Sequence, residues 1–110
     1  MGEKIQSFEA NVDMSRAFRQ FQKADNAFVK DKDDLAEEHL AKGLDLLQKV
    51  ADHLSKAVED DYTKAADEID KGNTQLQKSI DEYADGNDNS GARHYNNALD
   101  YYDQALELMG

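Results

Sequence analysis

The sequence predicts an all-α fold, an antiparallel four-helix bundle built from two similar helical hairpins. Proline is absent and glycine occurs only six times in 110 residues, so little interrupts a helix. The apolar residues recur at steps of three and four, which is the spacing of one helix face. The length suits a single domain, covering residues 1–110.

The first two helical segments are separated by the charged run 30–34. The apolar positions of segment one are Ile5, Phe8, Val12, Met14, Phe18, Phe21 and Phe28. Asp34, with Glu37 three residues later, fits a helix N-cap with its capping-box partner. Segment two is therefore predicted to begin at Asp34. Its apolar stripe consists of Leu40, Leu44, Leu47, Ala51, Leu54 and Val58.

The third and fourth segments flank the clearest loop in the sequence, residues 85–91, which are rich in Gly, Asn and Asp. The apolar positions of segment three are Tyr62, Ala65, Ile69, Leu76, Ile80 and Tyr83. Those of segment four are Tyr95, Leu99, Tyr102, Leu106 and Met109. Each of the four helices would be about 30–39 Å long.

The boundary between segments two and three has two interpretations. Asp60 or Asp61 is suited to cap a new helix. The apolar steps, however, continue through Val58 and Tyr62, as they would in one helix from 34 to 84. Such a helix would be about 76 Å long, and one chain could not cover it. It would require a dimer or an exchange between chains.

An internal repeat favours four helices. Shifted by half its length, the chain aligns with itself without a gap. Identical pairs include Gln20 with Gln75 and His39 with His94. We interpret this as a tandem duplication of one hairpin, approximately 1–55 and 56–110, with a turn near 56–61. Two acidic amphipathic hairpins of equal length would also coincide at several positions by composition alone.

Composition excludes several classes of function. The formal net charge of −11 disfavours nucleic-acid binding, because such a chain repels phosphate. The absence of cysteine excludes disulfides, thiolate metal sites and cysteine nucleophiles. No apolar run is long enough to cross a bilayer, so we expect no membrane span and a cytoplasmic protein. No catalytic motif is recognisable, and we expect neither an enzyme nor a cofactor.

The weak candidates for a metal site are His39, His94 and Asp85. The two histidines occupy equivalent positions of the repeat, but the Glu-x-x-His spacing of di-iron bundles is missing. Asp85 begins a run that partly matches a calcium loop, yet Ser90 stands at the glycine position and Asn96 at the glutamate position. We therefore predict paired surface histidines and a plain loop, with no metal.

A second apolar stripe on segments two and four indicates where a partner could bind. One stripe is enough for a helix packed on one side, so a second stripe either contacts another neighbour in the core or forms a surface for a partner. The candidate partner-binding residues on these stripes are Leu46, Val50, Tyr101 and Leu108.

The last helical segment resembles the second helix of a tetratricopeptide repeat. Ala98, Tyr102 and Ala105 fit the family's small, aromatic and small positions, within residues 95–108. The first-helix pattern and the closing proline of that family are missing. The resemblance implies a helical-hairpin interaction module. We therefore expect a protein or peptide partner, basic or amphipathic in view of the acidic surface. The alternatives are a structural homodimer and, less favoured, a metal-binding bundle.

Overall fold

The computed structural model describes residues 2–109, with side chains from Glu9 onward, and shows four helices. They are α1 (Gly2–Val29), α2 (Asp33–Ser55), α3 (Asp60–Ala84) and α4 (Asp88–Met109). Close backbone packing joins α1 to α2, α2 to α3 and α3 to α4. The bundle measures 45 × 19 × 18 Å. The predicted all-α four-helix fold is confirmed.

The helix ends correct several predicted boundaries. The N-cap of α2 is Lys32, which makes no side-chain cap hydrogen bond, so the capping box at Asp34 is wrong. Asp34 instead lies in the first turn, where a carboxylate interacts favourably with the helix dipole. The N-cap of α3 is Glu59, not Asp60 or Asp61. The loop predicted over 85–91 is shorter, because α4 begins at Asp88.

The compact single chain does not form the predicted alternative of one helix from 34 to 84, since it leaves the helix after Ser55 and resumes at Asp60. Glu59 is extended, with φ −74° and ψ 133°. This single turn allows α3 to return along α2, so that the apolar faces of both helices are covered within one chain.

Both hairpin turns have the same hydrogen bonds. In the first, the amide of Lys32 donates to the Ala27 carbonyl at 2.8 Å; in the second, the amide of Asn87 donates to the Glu82 carbonyl at 2.8 Å. The left-handed residue that each turn needs is Asp31 (φ 58°) in one and Gly86 (φ 83°) in the other. Each helix is thus ended by a Schellman turn, and the matching components of the two turns are separated by half the chain length.

Two aromatic rings in the core each lie against a glycine. The Phe21 ring lies over Gly43 of α2, and the Tyr102 ring lies over Gly72 of α3, both in space that a methyl group would fill. At the equivalent positions of the other hairpin, the corresponding pairs are buried Leu with Ala. Those pairs are Leu76 with Ala98 and Leu47 with Ala17. An aromatic ring paired with glycine and a leucine paired with alanine have similar total volumes, so equivalent positions of the two hairpins fill the core to a similar extent.

Aromatic rings fill the space between α1 and α4. Phe21 meets Tyr95 edge-on at 5.6 Å between ring centroids and stacks with Tyr102 at 6.1 Å. Phe18 lies 6.4 Å from Tyr102. These large side chains hold α1 and α4 further apart than α2 and α3, whose buried positions are aliphatic or small.

Two buried hydrogen bonds join the helices of the second hairpin. The Tyr102 hydroxyl donates to Asn73 Oδ1 at 2.8 Å, and the Ser79 hydroxyl donates to the Gly91 carbonyl at 2.7 Å. Burial raises the pKa of Tyr102, so its hydroxyl stays protonated as the donor that Asn73 requires. Both bonds tie α3 to α4, which rigidifies this hairpin.

Candidate functional site

The second apolar stripes of α2 and α4 face the neighbouring helix of their own hairpin. His39 Nδ1 on α2 donates to Gln20 Oε1 on α1 at 2.8 Å. His94 Nδ1 on α4 donates to Gln75 Oε1 on α3, also at 2.8 Å. Because an amide oxygen only accepts, both bonds place the proton on Nδ1. The stripes are thus largely contacts within each hairpin, which was one of the two interpretations of the sequence.

The four candidate partner-binding residues do not form one surface. Val50 is fully buried, so the folded chain does not present it to a partner. Leu46 is half-buried on α2, whereas Tyr101 and Leu108 are half-buried on α4. Tyr101 and Leu108 lie two turns apart on α4 and share one side of it.

A groove between α3 and α4 surrounds Tyr101 and has a volume of about 340 Å³. Among the described residues that line it, Asp100 is the only charged one, and three of the others carry carboxamides. The lining consists of Gln75, Asn97, Asp100, Tyr101 and Gln104. The hydrogen bond from His94 uses the oxygen of Gln75 and fixes that side chain in the lining of the groove. The groove therefore offers an aromatic ring, a carboxylate and amide groups on two rigid helices.

Sequence reasoning identified Tyr101 but missed the polar residues around it. Asn97, Asp100 and Gln104 follow the i, i+3, i+7 spacing of one helix face, so their position beside Tyr101 could have been derived. Gln75 could not, because it depends on how α3 packs against α4.

The equivalent part of the first hairpin has a different charge. The positions that match the groove residues of α4 in the repeat carry Lys42, Asp45, Leu46 and Lys49. Two lysines thus replace Asn97 and Gln104. Asp100 of the second hairpin is thus flanked by carboxamides, whereas Asp45 of the first hairpin is flanked by two lysines. The first hairpin therefore serves as an internal control for the groove.

The weak metal candidates are not brought together. Both His39 and His94 use Nδ1 to bind glutamine, and Asp85 lies on an exposed turn. Ser90, which stands at the glycine position of the calcium-loop comparison, lies in α4 rather than in a loop. Among the residues described, no group of three or more His, Asp or Glu side chains could hold a metal ion.

The end of the bundle that carries both hairpin turns is acidic. Partial burial raises the pKa of Glu37, and the nearby charges of Asp34, Asp33 and Asp88 raise it further. Asp88 belongs to the second hairpin, so the two hairpins bring like charges together here. Desolvation also raises the pKa of Asp25.

Comparisons of this chain with protein-family models, curated proteins and solved structures give no match. Among the helices spanning 2–109, none has the length and apolar character needed to cross a membrane.

Proposed function

We propose that this protein is a non-catalytic, cytoplasmic interaction module that binds a basic, amphipathic protein segment in the α3–α4 groove. The observation that carries the proposal is the groove itself, in which a half-buried Tyr101 lies beside Asp100 with no lysine or arginine in the lining. Binding by such a groove needs no chemistry beyond shape, apolar contact and charge.

The charge of α4 supports a basic partner. No lysine or arginine follows Arg93 in the sequence, whereas Asp100, Asp103 and Glu107 do. A carboxylate surface of this kind steers a cationic segment toward the groove and repels an anionic one. The whole chain adds to this effect through its net charge of −11.

The side chains of the groove match a lysine or arginine of the partner. The face of the Tyr101 ring attracts a cation and covers its aliphatic stem. Asp100 supplies the opposite charge, and the carboxamides of Asn97 and Gln104 accept hydrogen bonds from its N–H groups. Leu108, two turns along α4, would contact an apolar residue of the same segment.

A defined peptide tests this proposal. We would titrate the protein into a fluorescent amphipathic helix of Leu and Lys, and into its Leu and Glu counterpart, and follow anisotropy. We expect saturable binding of the Lys peptide alone. Tyr101→Ala should weaken that binding about tenfold, a typical cost for an aromatic anchor. Leu46→Ala, at the equivalent position of the first hairpin, is the matched control and should leave the affinity unchanged.

Asp100→Asn separates charge from shape. It should weaken binding and reduce the salt dependence of the affinity, because one screened ion pair is lost. Equal binding of both peptides, or an equal loss for Tyr101→Ala and Leu46→Ala, would contradict the proposed groove.

A further inference from the structure

The three connections between helices differ in the backbone conformations and hydrogen bonds that they require. The α1–α2 and α3–α4 turns each need a left-handed residue, Asp31 or Gly86, and a Schellman hydrogen bond. Rebuilding either turn as helix would break those bonds. The α2–α3 connection, residues 56–59, has neither glycine nor proline, and among residues 2–109 the only positive φ angles are those of the other two turns.

The α2–α3 connection begins in a helical conformation. Lys56 has φ −89° and ψ −4°, in the right-handed helical region. The amide of Ala57 donates to the Leu54 carbonyl at 3.1 Å, which continues the last turn of α2. Glu59 has φ −74°, so a rotation of its ψ from 133° brings it into the helical region without passing through a left-handed conformation.

The apolar pattern also fits a straightened connection. Leu54, Val58 and Tyr62 follow one another at steps of four, as on one helix face. In the compact chain Val58 is 87% exposed. In a continuous helix it would join the stripe between Leu54 and Tyr62 and contact a neighbouring chain.

The contacts inside the hairpins are more specific than the contacts between them. The side-chain hydrogen bonds donated by His39, Ser79, His94 and Tyr102 all tie α1 to α2 or α3 to α4. The two hairpins instead contact each other through aromatic rings, such as Phe28 with Tyr83 at 4.5 Å and Phe21 with Tyr95. A second chain can supply the same contacts without any new hydrogen-bond pairing.

We propose that this fold accepts a second copy of the chain, which exchanges hairpins when residues 56–59 straighten into one helix from α2 to α3. Each four-helix unit of the dimer then contains one hairpin from each chain, and the contacts between the two hairpins outside residues 56–59 are preserved. The α3–α4 groove lies within one hairpin and is retained, so the dimer has two of them.

Asp60→Pro tests the proposal on the full chain. Asp60 is the first residue of α3, where proline is tolerated, and Glu59 before it already has the extended conformation that proline requires. In a continuous helix the same proline would be internal and disruptive. Asp60→Ala is the control for the lost charge.

We would refold each variant at high and low concentration and measure molar mass by light scattering. The wild type and Asp60→Ala should form a dimer at high concentration, and Asp60→Pro should reduce its association constant at least about a hundredfold. The cysteine-free chain also allows spin labels at Asp34→Cys and Asp85→Cys.

The labels distinguish exchange from surface association. In the monomer both sites lie at the same end of a bundle whose cross-section is 19 × 18 Å. In the exchanged dimer, with labelled chains diluted in unlabelled ones, they lie at opposite ends of a helix of about 76 Å. A wild type that stays monomeric at every concentration, a dimer that keeps the short distance, or an undiminished dimer of Asp60→Pro would each overturn the proposal.

Discussion

The contact between Phe21 and Gly43 yields the sharpest stability prediction. A methyl group on Gly43 would lie 3.0 Å from Cδ1 and 3.1 Å from Cζ of Phe21, and closer still to Cε1. The ring cannot retreat, because Tyr95 and Tyr102 occupy its other sides at centroid distances of 5.6 and 6.1 Å. Overpacking of this kind costs about 1–3 kcal/mol.

Gly43→Ala also gains about 1 kcal/mol of helix propensity. The net loss should therefore be about 1–2 kcal/mol, since the trapped ring places the overpacking cost in the upper part of its range. For a chain of this size each kcal/mol lowers Tm by about 4 °C. Phe21→Leu alone should also cost roughly 1–2 kcal/mol, because it leaves a space beside Tyr95.

The double variant Phe21→Leu with Gly43→Ala carries Leu and Ala, the residues found at the equivalent positions 76 and 98 of the other hairpin. The new methyl group then fills part of the space that the ring has left. We expect the double variant to be more stable than the sum of the single losses by about 1–2 kcal/mol in urea unfolding. Gly43→Ala combined with the distant Leu54→Val is the control and should be additive. Additivity within about 0.5 kcal/mol for the Phe21 pair would refute the packing described.

Three further predictions concern a buried hydrogen bond, pH and a turn. Tyr102→Phe should cost about 1–3 kcal/mol in urea unfolding, because Asn73 Oδ1 loses its donor, and an unchanged stability would contradict that bond. The raised pKa values of Glu37 and Asp25 mean that the folded chain binds protons more readily than the unfolded chain. Stability therefore falls as pH rises from the ordinary pKa values of these carboxyl groups through their raised values. Calorimetry should therefore show a higher Tm at pH 5 than at pH 7, and a lower one would show that other carboxylates dominate. Gly86→Ala should lower stability by about 1–2 kcal/mol, because φ is 83° there, while Gly86→Asn should cost less; equal losses would argue against the left-handed turn.

Helical periodicity was sufficient to predict the fold, but the buried core takes in more than one stripe, because Gly43 and Val50 of α2 and Ala98 and Ala105 of α4 are buried as well. The self-comparison at half the chain length also paired Gln20 with Gln75 and His39 with His94. The structure shows that each glutamine binds the histidine of its own hairpin. Tandem duplication remains an inference from these matched positions.

Helix caps and the candidate surface were harder to predict. Asp34 has the side chain of an N-cap, but the backbone turn after Asp31 starts the helix earlier, at Asp33. Val50 and Leu46 look equivalent in the sequence, yet one is buried and the other half-exposed. That difference depends on how closely α2 is packed by its neighbours, which no local pattern encodes.

The proposed binding of a basic segment in the α3–α4 groove is tested most directly by a two-dimensional ¹⁵N NMR titration with the Leu and Lys peptide. We predict saturable shifts that concentrate at Gln75 and over residues 97–104, with little change at the equivalent positions around Leu46. Shifts spread evenly over the acidic surface, centred on Leu46, or absent at saturating peptide would contradict the claim.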